Sequence, residues 1–176
     1  MNRTATTLLP SLLVLLAADP ARALAPATGP AQAPAASLYL TPIGPSIHVE
    51  AARKVAAAAL AEARKNGWLM AVAVVDPAGT LVFYEKMDDV QLGSATASVQ
   101  KARSAALFKR PTKTMQDTLA AGGAGLRILK LEGAMPLEGG LPILQGGKLI
   151  GAIGLSGDLS ENDGKCAAAG VAALKE

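Results

Sequence analysis

Two pairs of short apolar segments, each pair joined by a glycine-containing turn, constrain the fold of this chain more than any other feature. Residues 68–75 (WLMAVAVV) and 81–85 (LVFYE) flank the turn sequence DPAG, where proline presets φ and glycine accepts a positive φ. Residues 141–144 and 149–155 flank QGGK, whose paired glycines are typical of a tight hairpin. Because hairpins join antiparallel neighbours, the sequence predicts an antiparallel sheet, with residues 126–131 as a further candidate strand.

Four other segments have helical character. Residues 48–66 place alanine, valine and leucine at the spacing of one buried helix face and end at an Asn-Gly pair. Residues 94–108 form an alanine-rich segment that ends before Pro111, and residues 114–120 and 160–174 are shorter candidates. Since the helices lie between hairpins rather than between single strands, the sequence predicts an α+β sandwich and not a doubly wound fold.

The first 25 residues have the layout of a secretory signal peptide. A charged start at Arg3 precedes an apolar run over 8–18, and small-x-small cleavage patterns follow at 21–23 and 23–25. The run is shorter than the ~20 residues that a membrane-spanning helix requires. An uncleaved amphipathic leader is the alternative, and no cysteine follows the run to carry a lipid anchor.

A Pro/Ala-rich linker over residues 26–36 separates this segment from a single domain over residues 37–176. We therefore expect a periplasmic or secreted protein that is not inserted in the membrane after cleavage. The chain of 176 residues is 51% hydrophobic but only 3% aromatic, with a net charge of +3. This composition supports a core of small aliphatic side chains and argues against nucleic-acid binding, which favours dense basic patches with aromatic side chains.

The single cysteine, Cys166, excludes an internal disulfide, and with one histidine, His48, the chain has too few such ligands for a structural zinc site. Neither a GxSxG nor an HExxH motif is present, and no nucleophile–base pair can be identified. Enzymatic activity is therefore open, with a non-enzymatic role favoured. The glycine-rich stretches at 122–125 and 151–157 lack the spacing of phosphate-binding loops.

The order of three motifs resembles the GlcG/HbpS-like family, also described as the haem-binding-protein-like domain. The motifs are AVAVVDPAGTLVFYEKMDD at 71–89, SVQKARSAALFKRPT at 98–112 and GGLPILQGGKLIGAIGLSG at 139–157. The resemblance extends over residues 38–176, including the last helix. It implies a profilin-like or PAS-like sandwich, with helices packed on a five-stranded antiparallel sheet, and assembly into homo-oligomers.

The functions that the resemblance implies are diverse. Some members bind haem outside the cytoplasm and serve haem handling or redox sensing. Others are encoded in operons for glycolate or diol metabolism, or are appended to corrinoid adenosyltransferases. The chain departs from the family pattern at Lys86, where members often have arginine, and this weakens any role for a guanidinium at that position.

The segment over residues 90–116 is the best candidate for an anion site because it contains five cations and no acid. These cations could pair with haem propionates or with an organic acid, or they could be a solvated helix face balanced by neighbouring acids. Lys101 and Arg103 are the favoured ligand contacts because both lie inside the helix. The five cations are Lys101, Arg103, Lys109, Arg110 and Lys113.

Two further residues are candidates for contact with haem. His48 could be an axial ligand or a general base, or a solvent-facing or capping residue at the start of its helix. Thr112 ends the KRPT motif, at which the resemblance implies a link between haem and a threonine oxygen. The alternative is that Thr112 caps the helix at 114–120.

The remaining candidates have structural explanations. Met87 could be a thioether ligand but is better explained as a core residue, and Cys166 is expected to be buried and inert. Four aspartates could form an acid/base or metal-binding group, although turn and cap roles explain two of them, Asp76 and Asp158. The four are Asp76, Asp88, Asp89 and Asp158.

Together these features predict an exported homo-oligomer that binds haem, or a related planar anionic cofactor, beside the helix over residues 98–113. The alternative is an accessory protein or enzyme that acts on a small organic acid in a catabolic pathway. A third possibility is a structural or signalling partner of a membrane sensor.

Overall fold

The computed structural model describes residues 40–174, so the signal peptide and linker predicted at residues 1–36 lie outside the described residues. Two hairpins and four α-helices make up this part of the chain. The elements are α1 (Val49–Lys65), β1 (Ala71–Val75), β2 (Leu81–Lys86), α2 (Gly93–Leu107), α3 (Thr112–Ala120), a 3-10 helix (Gly123–Lys130), β3 (Gly140–Gln145), β4 (Lys148–Ser156) and α4 (Ser160–Ala172).

The four strands form an antiparallel sheet in the order β2-β1-β4-β3. The two predicted hairpins, β1–β2 and β3–β4, are both present, and they meet where β1 pairs with β4. Beyond the end of β1, Ile43 forms an isolated parallel bridge with Leu149, and the Gly44 N–H donates to the Leu149 carbonyl over 2.8 Å. The predicted α+β class with an antiparallel sheet is confirmed.

The sheet of the described residues has four strands, whereas five were expected. Residues 126–131, the candidate fifth strand, belong largely to the 3-10 helix, which begins after Gly122 at φ 68°. Its backbone groups bond locally, as in the 3.0 Å bond from Leu131 N–H to the Ile128 carbonyl. None of its side chains is buried. The apolar run therefore has no strand partner and no core face to occupy.

The two faces of the sheet carry different helices because successive side chains of a strand alternate. Val72 and Val74 of β1 belong to the main core, to which α1 and α4 contribute their apolar faces. Ala73 and Val75 point to the opposite face and pack with the alanines of α2. At Gly154 a Cβ atom would lie 2.2 Å from a carbonyl oxygen of α2, so this helix lies directly against the sheet.

Helix α1 shows how the sequence determines one of these elements. All six apolar positions of its predicted face are buried. The helix ends where the Asn66 side-chain amide donates to the Glu62 carbonyl over 2.8 Å and Gly67 turns the chain at φ 72°. Among the described residues no helix combines the length and apolarity that crossing a bilayer requires. The six positions are Ala52, Val55, Ala56, Ala59, Leu60 and Ala63.

Candidate functional site

Lys101 is not on the solvent-facing side of α2. Its ammonium lies 2.6 Å from Oδ2 of Asp163 at the start of α4, and each side chain is only 2% exposed. Burial raises the pKa of Asp163, while the hydrogen bond and the charge of Lys101 act in the opposite direction. The positive charge of Lys101 is therefore already balanced inside the fold.

Two glycines make room for this ion pair. A Cβ on Gly139 would lie 3.0 Å from the Lys101 ammonium nitrogen and 2.8 Å from Cβ of Asp163. A Cβ on Gly140 would lie 2.4 Å from the Lys101 carbonyl oxygen. Neither a larger side chain nor a ligand atom fits at these contacts without displacement of the backbone.

Thr112 is fully buried beside the same glycines. Its hydroxyl oxygen accepts the Gly140 N–H over 2.9 Å and thus ties the start of α3 to the start of β3. The alternative that Thr112 caps α3 is wrong, because the helix begins at this residue and its N-cap position is Pro111. A bond from Thr112 to haem stays a prediction, and it would require the hydroxyl to leave Gly140.

The other four cations of the segment, Lys109, Arg110, Lys113 and Arg103, differ in what their side chains contact. Lys109 donates to the Thr41 carbonyl over 3.0 Å, and Nε of Arg110 donates to the Phe108 carbonyl over 3.1 Å. Lys113 forms an exposed ion pair with Asp117 over 2.8 Å. Arg103 is exposed and has neither an ion pair nor a hydrogen bond within residues 40–174.

Arg103 lies at the junction of two surface clefts that share Gln100 and Arg103. The strand cleft, between α2 and β2, has a volume of about 500 Å³. The loop cleft, between α2 and the segment after the 3-10 helix, has a volume of about 360 Å³. Besides the shared pair, Leu81, Tyr84, Ala95, Thr96 and Val99 line the strand cleft, and Leu107, Glu132, Gly133, Ala134 and Met135 line the loop cleft.

The strand cleft combines an apolar wall with a small number of polar groups. Leu81, Ala95 and Val99 supply the wall, and Tyr84 adds a phenol. Burial raises the pKa of Tyr84, so its hydroxyl is protonated at neutral pH and can donate a hydrogen bond. The Arg103 side chain passes over Gly79 of the β1–β2 turn, where a Cβ would lie 3.6 Å from its Cγ.

Tyr84 was not among the residues predicted from the sequence. A usable signal was present, because Tyr84 pairs with Ala73 across the β1–β2 hairpin. Directly paired residues share a face of the sheet, and the small Ala73 side chain faces α2. An aromatic residue in that register therefore has to lie beside α2.

His48 lies in a different place. It is the N-cap residue of α1, exposed, and its side chain makes no capping hydrogen bond. It lines a separate cleft of about 190 Å³, together with Ser46 and Gln145. Because α1 and α2 cover opposite faces of the sheet, one chain does not bring His48 together with Arg103. His48 is thus exposed to solvent in this chain, and a role as an axial ligand stays a prediction.

Met87 and Cys166 have the structural roles that were favoured for them. The Met87 sulfur accepts the Met70 N–H over 3.4 Å, and its side chain packs against the main core. Cys166 is fully buried, and burial raises the pKa of its thiol to about 11. A thiol of this kind is protonated and shielded, which makes it a poor nucleophile.

Two of the four candidate aspartates, Asp76 and Asp158, serve local structure. Oδ1 of Asp76 accepts the N–H groups of Ala78 and Thr80 and thus closes the first hairpin turn. Oδ1 of Asp158 accepts the Asn162 side-chain amide and the Leu159 N–H, and these bonds lower the pKa of Asp158. Within the described range, no three His, Cys, Asp or Glu side chains are grouped so that they could hold a metal ion.

Comparison with known proteins places these features in a family. The family described as haem degrading protein HbpS-like matches residues 47–172. Protein GlcG of Escherichia coli is 38% identical over 105 residues, which are 60% of this chain and 77% of GlcG. The family match covers the sheet and helix α2.

Two solved structures are similar to this fold. A double mutant of Streptomyces reticuli HbpS has 30% identity and a TM-score of 0.69, over 85% of this chain and 99% of HbpS. A PduOC–heme complex has 26% identity and a TM-score of 0.66, over 73% of this chain and 94% of PduOC. The match to the family over most of the described residues, supported by both structures, shows that this chain belongs to the HbpS-like family.

Proposed function

We propose that this chain binds haem, or a related planar ligand with carboxylate groups, in the strand cleft, with Arg103 contacting a carboxylate. The observation that carries the proposal is an exposed arginine without a partner in the described residues, at the edge of an apolar cleft of about 500 Å³. Clefts of ~300–1,000 Å³ with an apolar wall and few polar groups are typical ligand sites. The similarity to a PduOC–heme complex supports the same class of ligand.

The residues of the cleft fit two of the three requirements for haem. Leu81, Ala95 and Val99 provide an apolar surface for the macrocycle, and Arg103 provides a cation for a propionate. An axial donor is the third requirement. Among the residues that line the strand cleft, Tyr84 is of a type that ligates haem iron, and it would have to lose its phenolic proton to do so. His48 lies in another cleft. Bound haem would supply redox chemistry, and the chain's residues would hold and orient it.

Arg103, rather than Lys101, is the cation we assign to this ligand. Lys101 is buried against Asp163, so a ligand carboxylate could reach it only by displacing that aspartate. Arg103 needs no such rearrangement. A charged hydrogen bond of a partly desolvated arginine contributes about 1.5–3 kcal/mol, which corresponds to roughly 10- to 150-fold in affinity.

The test is a hemin titration of the purified mature chain, followed by its Soret band. We expect a saturable band at micromolar hemin, and a loss of affinity of roughly 10- to 150-fold in Arg103→Ala. Lys113→Ala is the matched control, since Lys113 is an exposed cation of the same segment that already pairs with Asp117. The absence of a band, or equal losses in the two variants, would overturn the proposal.

A small organic acid is a second candidate ligand. Tyr84, Gln100 and Arg103 line one cleft and together offer several hydrogen-bond donors that could hold one carboxylate. Under this alternative the chain is an accessory protein or enzyme of organic-acid catabolism. Thermal stabilisation by simple carboxylic acids that is lost in Arg103→Ala, without any Soret band on hemin addition, would favour it.

We further propose that the chain is exported and forms homo-oligomers. The basis for export is the signal-peptide layout of residues 1–25. N-terminal sequencing should find a mature chain that begins at Leu24 or Pro26, and an intact Met1 on protein from the periplasm would contradict cleavage. Light scattering at tens of micromolar should give a discrete multiple of the monomer mass, and a monomeric mass would contradict assembly.

A further inference from the structure

The loop cleft is formed by contacts between α2 and the segment that follows the 3-10 helix. The Met135 N–H donates to the buried Ser104 hydroxyl over 3.0 Å, which fastens the loop to α2. The Ala134 N–H donates to the Leu131 carbonyl over 3.1 Å, and Gly133 turns the chain at φ 77°. A Cβ on Gly133 would lie 3.6 Å from Cδ1 of Leu107, so the loop packs against α2.

Two opposite charges line this cleft without neutralising each other. Arg103 and Glu132 both contribute to its wall, yet they form no ion pair with each other. Within residues 40–174, Glu132 also has no other ion-pair or hydrogen-bond partner. The strand cleft differs, because no acidic side chain lines it.

This charge arrangement selects the class of ligand. A carboxylate that contacts Arg103 in the loop cleft is repelled by Glu132, and an amine that contacts Glu132 is repelled by Arg103. A molecule with both groups satisfies both charges at once. Leu107, Ala134 and Met135 add an apolar surface for the rest of such a molecule.

We propose that the loop cleft binds a small zwitterion with an apolar side chain, such as an aliphatic α-amino acid. Arg103 receives the carboxylate and Glu132 receives the ammonium group. The volume of about 360 Å³ lies at the lower end of the range for ligand sites, which suits a molecule of this size. The site is additional to the proposed haem function and shares only Arg103 and Gln100 with the strand cleft.

The experiment is isothermal titration of the mature chain with leucine, methionine and valine. Isopentylamine, which lacks the carboxylate, and isocaproate, which lacks the amine, are the comparison ligands. We expect saturable binding of at least one amino acid, and affinities at least ~10-fold weaker for the ligand lacking either charge. If none of the three amino acids binds at millimolar concentration, the proposal is overturned.

Variants separate this site from the haem site. Glu132→Gln should weaken amino-acid binding at least ~10-fold and leave the hemin titration unchanged, because Glu132 does not line the strand cleft. Arg103→Ala should weaken binding of both ligands. Glu50→Gln, an exposed acid of α1, is the matched control and should change neither. Unchanged amino-acid binding in Glu132→Gln would overturn the zwitterion site, whatever the hemin result.

Discussion

Replacing Lys101 by methionine tests the buried ion pair that joins α2 to α4. The substitution keeps most of the length of the side chain but removes the ammonium group, so Asp163 stays buried without its cation. Because both side chains are only 2% exposed, solvent does not screen the lost interaction. Removal of one partner from a buried pair costs about 3–5 kcal/mol, a large part of the ~5–15 kcal/mol that stabilises a typical domain.

The double variant Lys101→Met/Asp163→Ala removes the unpaired carboxylate as well. Replacing both partners of a buried pair by apolar groups is often neutral or stabilising. We expect the double variant to regain most of the stability that Lys101→Met loses. The matched control is Lys113→Met, because the Lys113–Asp117 pair on α3 is exposed to solvent and its loss should change the free energy of unfolding little.

The loss in Lys101→Met should depend on pH in a defined direction. Burial raises the pKa of Asp163, and without Lys101 nothing of comparable strength opposes that shift. A carboxyl whose pKa is higher in the folded than in the unfolded chain favours folding when protonated. Its contribution is fully present below the unfolded pKa of about 3.9 and is lost as pH rises through the folded pKa. The stability gap to wild type should therefore widen from acid to neutral pH.

Urea unfolding at several pH values measures these differences, with equal slopes required before free energies are compared. If the free energy of unfolding of Lys101→Met lies within about 1 kcal/mol of the wild-type value at neutral pH, the ion pair does not stabilise the fold as described. A gap that narrows as pH rises would show that the charge on Asp163 is not the cause. The double variant keeps the test valid even if the single variant fails to fold.

Three further predictions concern packing and burial. Gly154→Ala should lower the free energy of unfolding by about 1–3 kcal/mol, because its Cβ would lie 2.2 Å from a carbonyl oxygen of α2. Gly93→Ala is the matched control and should lose no stability, because its Cβ would meet no atom within 4 Å; equal unfolding midpoints of the two variants would contradict this. Thr112→Val should lower the free energy of unfolding by about 1–3 kcal/mol, because the Gly140 N–H is left without its acceptor. Urea unfolding measures this difference. Cys166, with a pKa of about 11, should react with a thiol reagent at mildly alkaline pH only after unfolding, and fast reaction of folded protein would refute its burial.

The sequence could predict the elements that local chemistry determines. The helix α1 has its apolar residues at helical spacing, and both hairpins have glycines where the structure has a positive φ, at Gly79, Gly146 and Gly147. The candidate strand over residues 126–131 was wrong because a run of apolar residues shows hydrophobicity but not the presence of a strand partner. Gly122 and Gly123, both at positive φ, turn the chain before that run and leave it in a 3-10 helix.

The candidate site could be predicted only in part, because three separate segments form it. Arg103 was identified from its position in a basic helix. Tyr84 on β2 was not identified, although its pairing with Ala73 in the first hairpin could have indicated it. Glu132 after the 3-10 helix was not identified because nothing local relates it to α2. The position of Glu132 beside α2 depends on the bond from the Met135 N–H to the Ser104 hydroxyl, which is a tertiary feature.

The different environments of Lys101 and Arg103 follow from helix geometry. Residues two apart on a helix point to nearly opposite sides, so one helix face cannot present both cations to the same ligand. The side of Lys101 includes Ser98 and Ala105, which are small and buried and leave space for a long side chain to reach Asp163. Arg103 lies on the opposite side of α2, where it lines the loop cleft together with Leu107. In this segment Lys101 therefore stabilises the packing of α2 with α4 through Asp163, whereas Arg103 is available to a ligand.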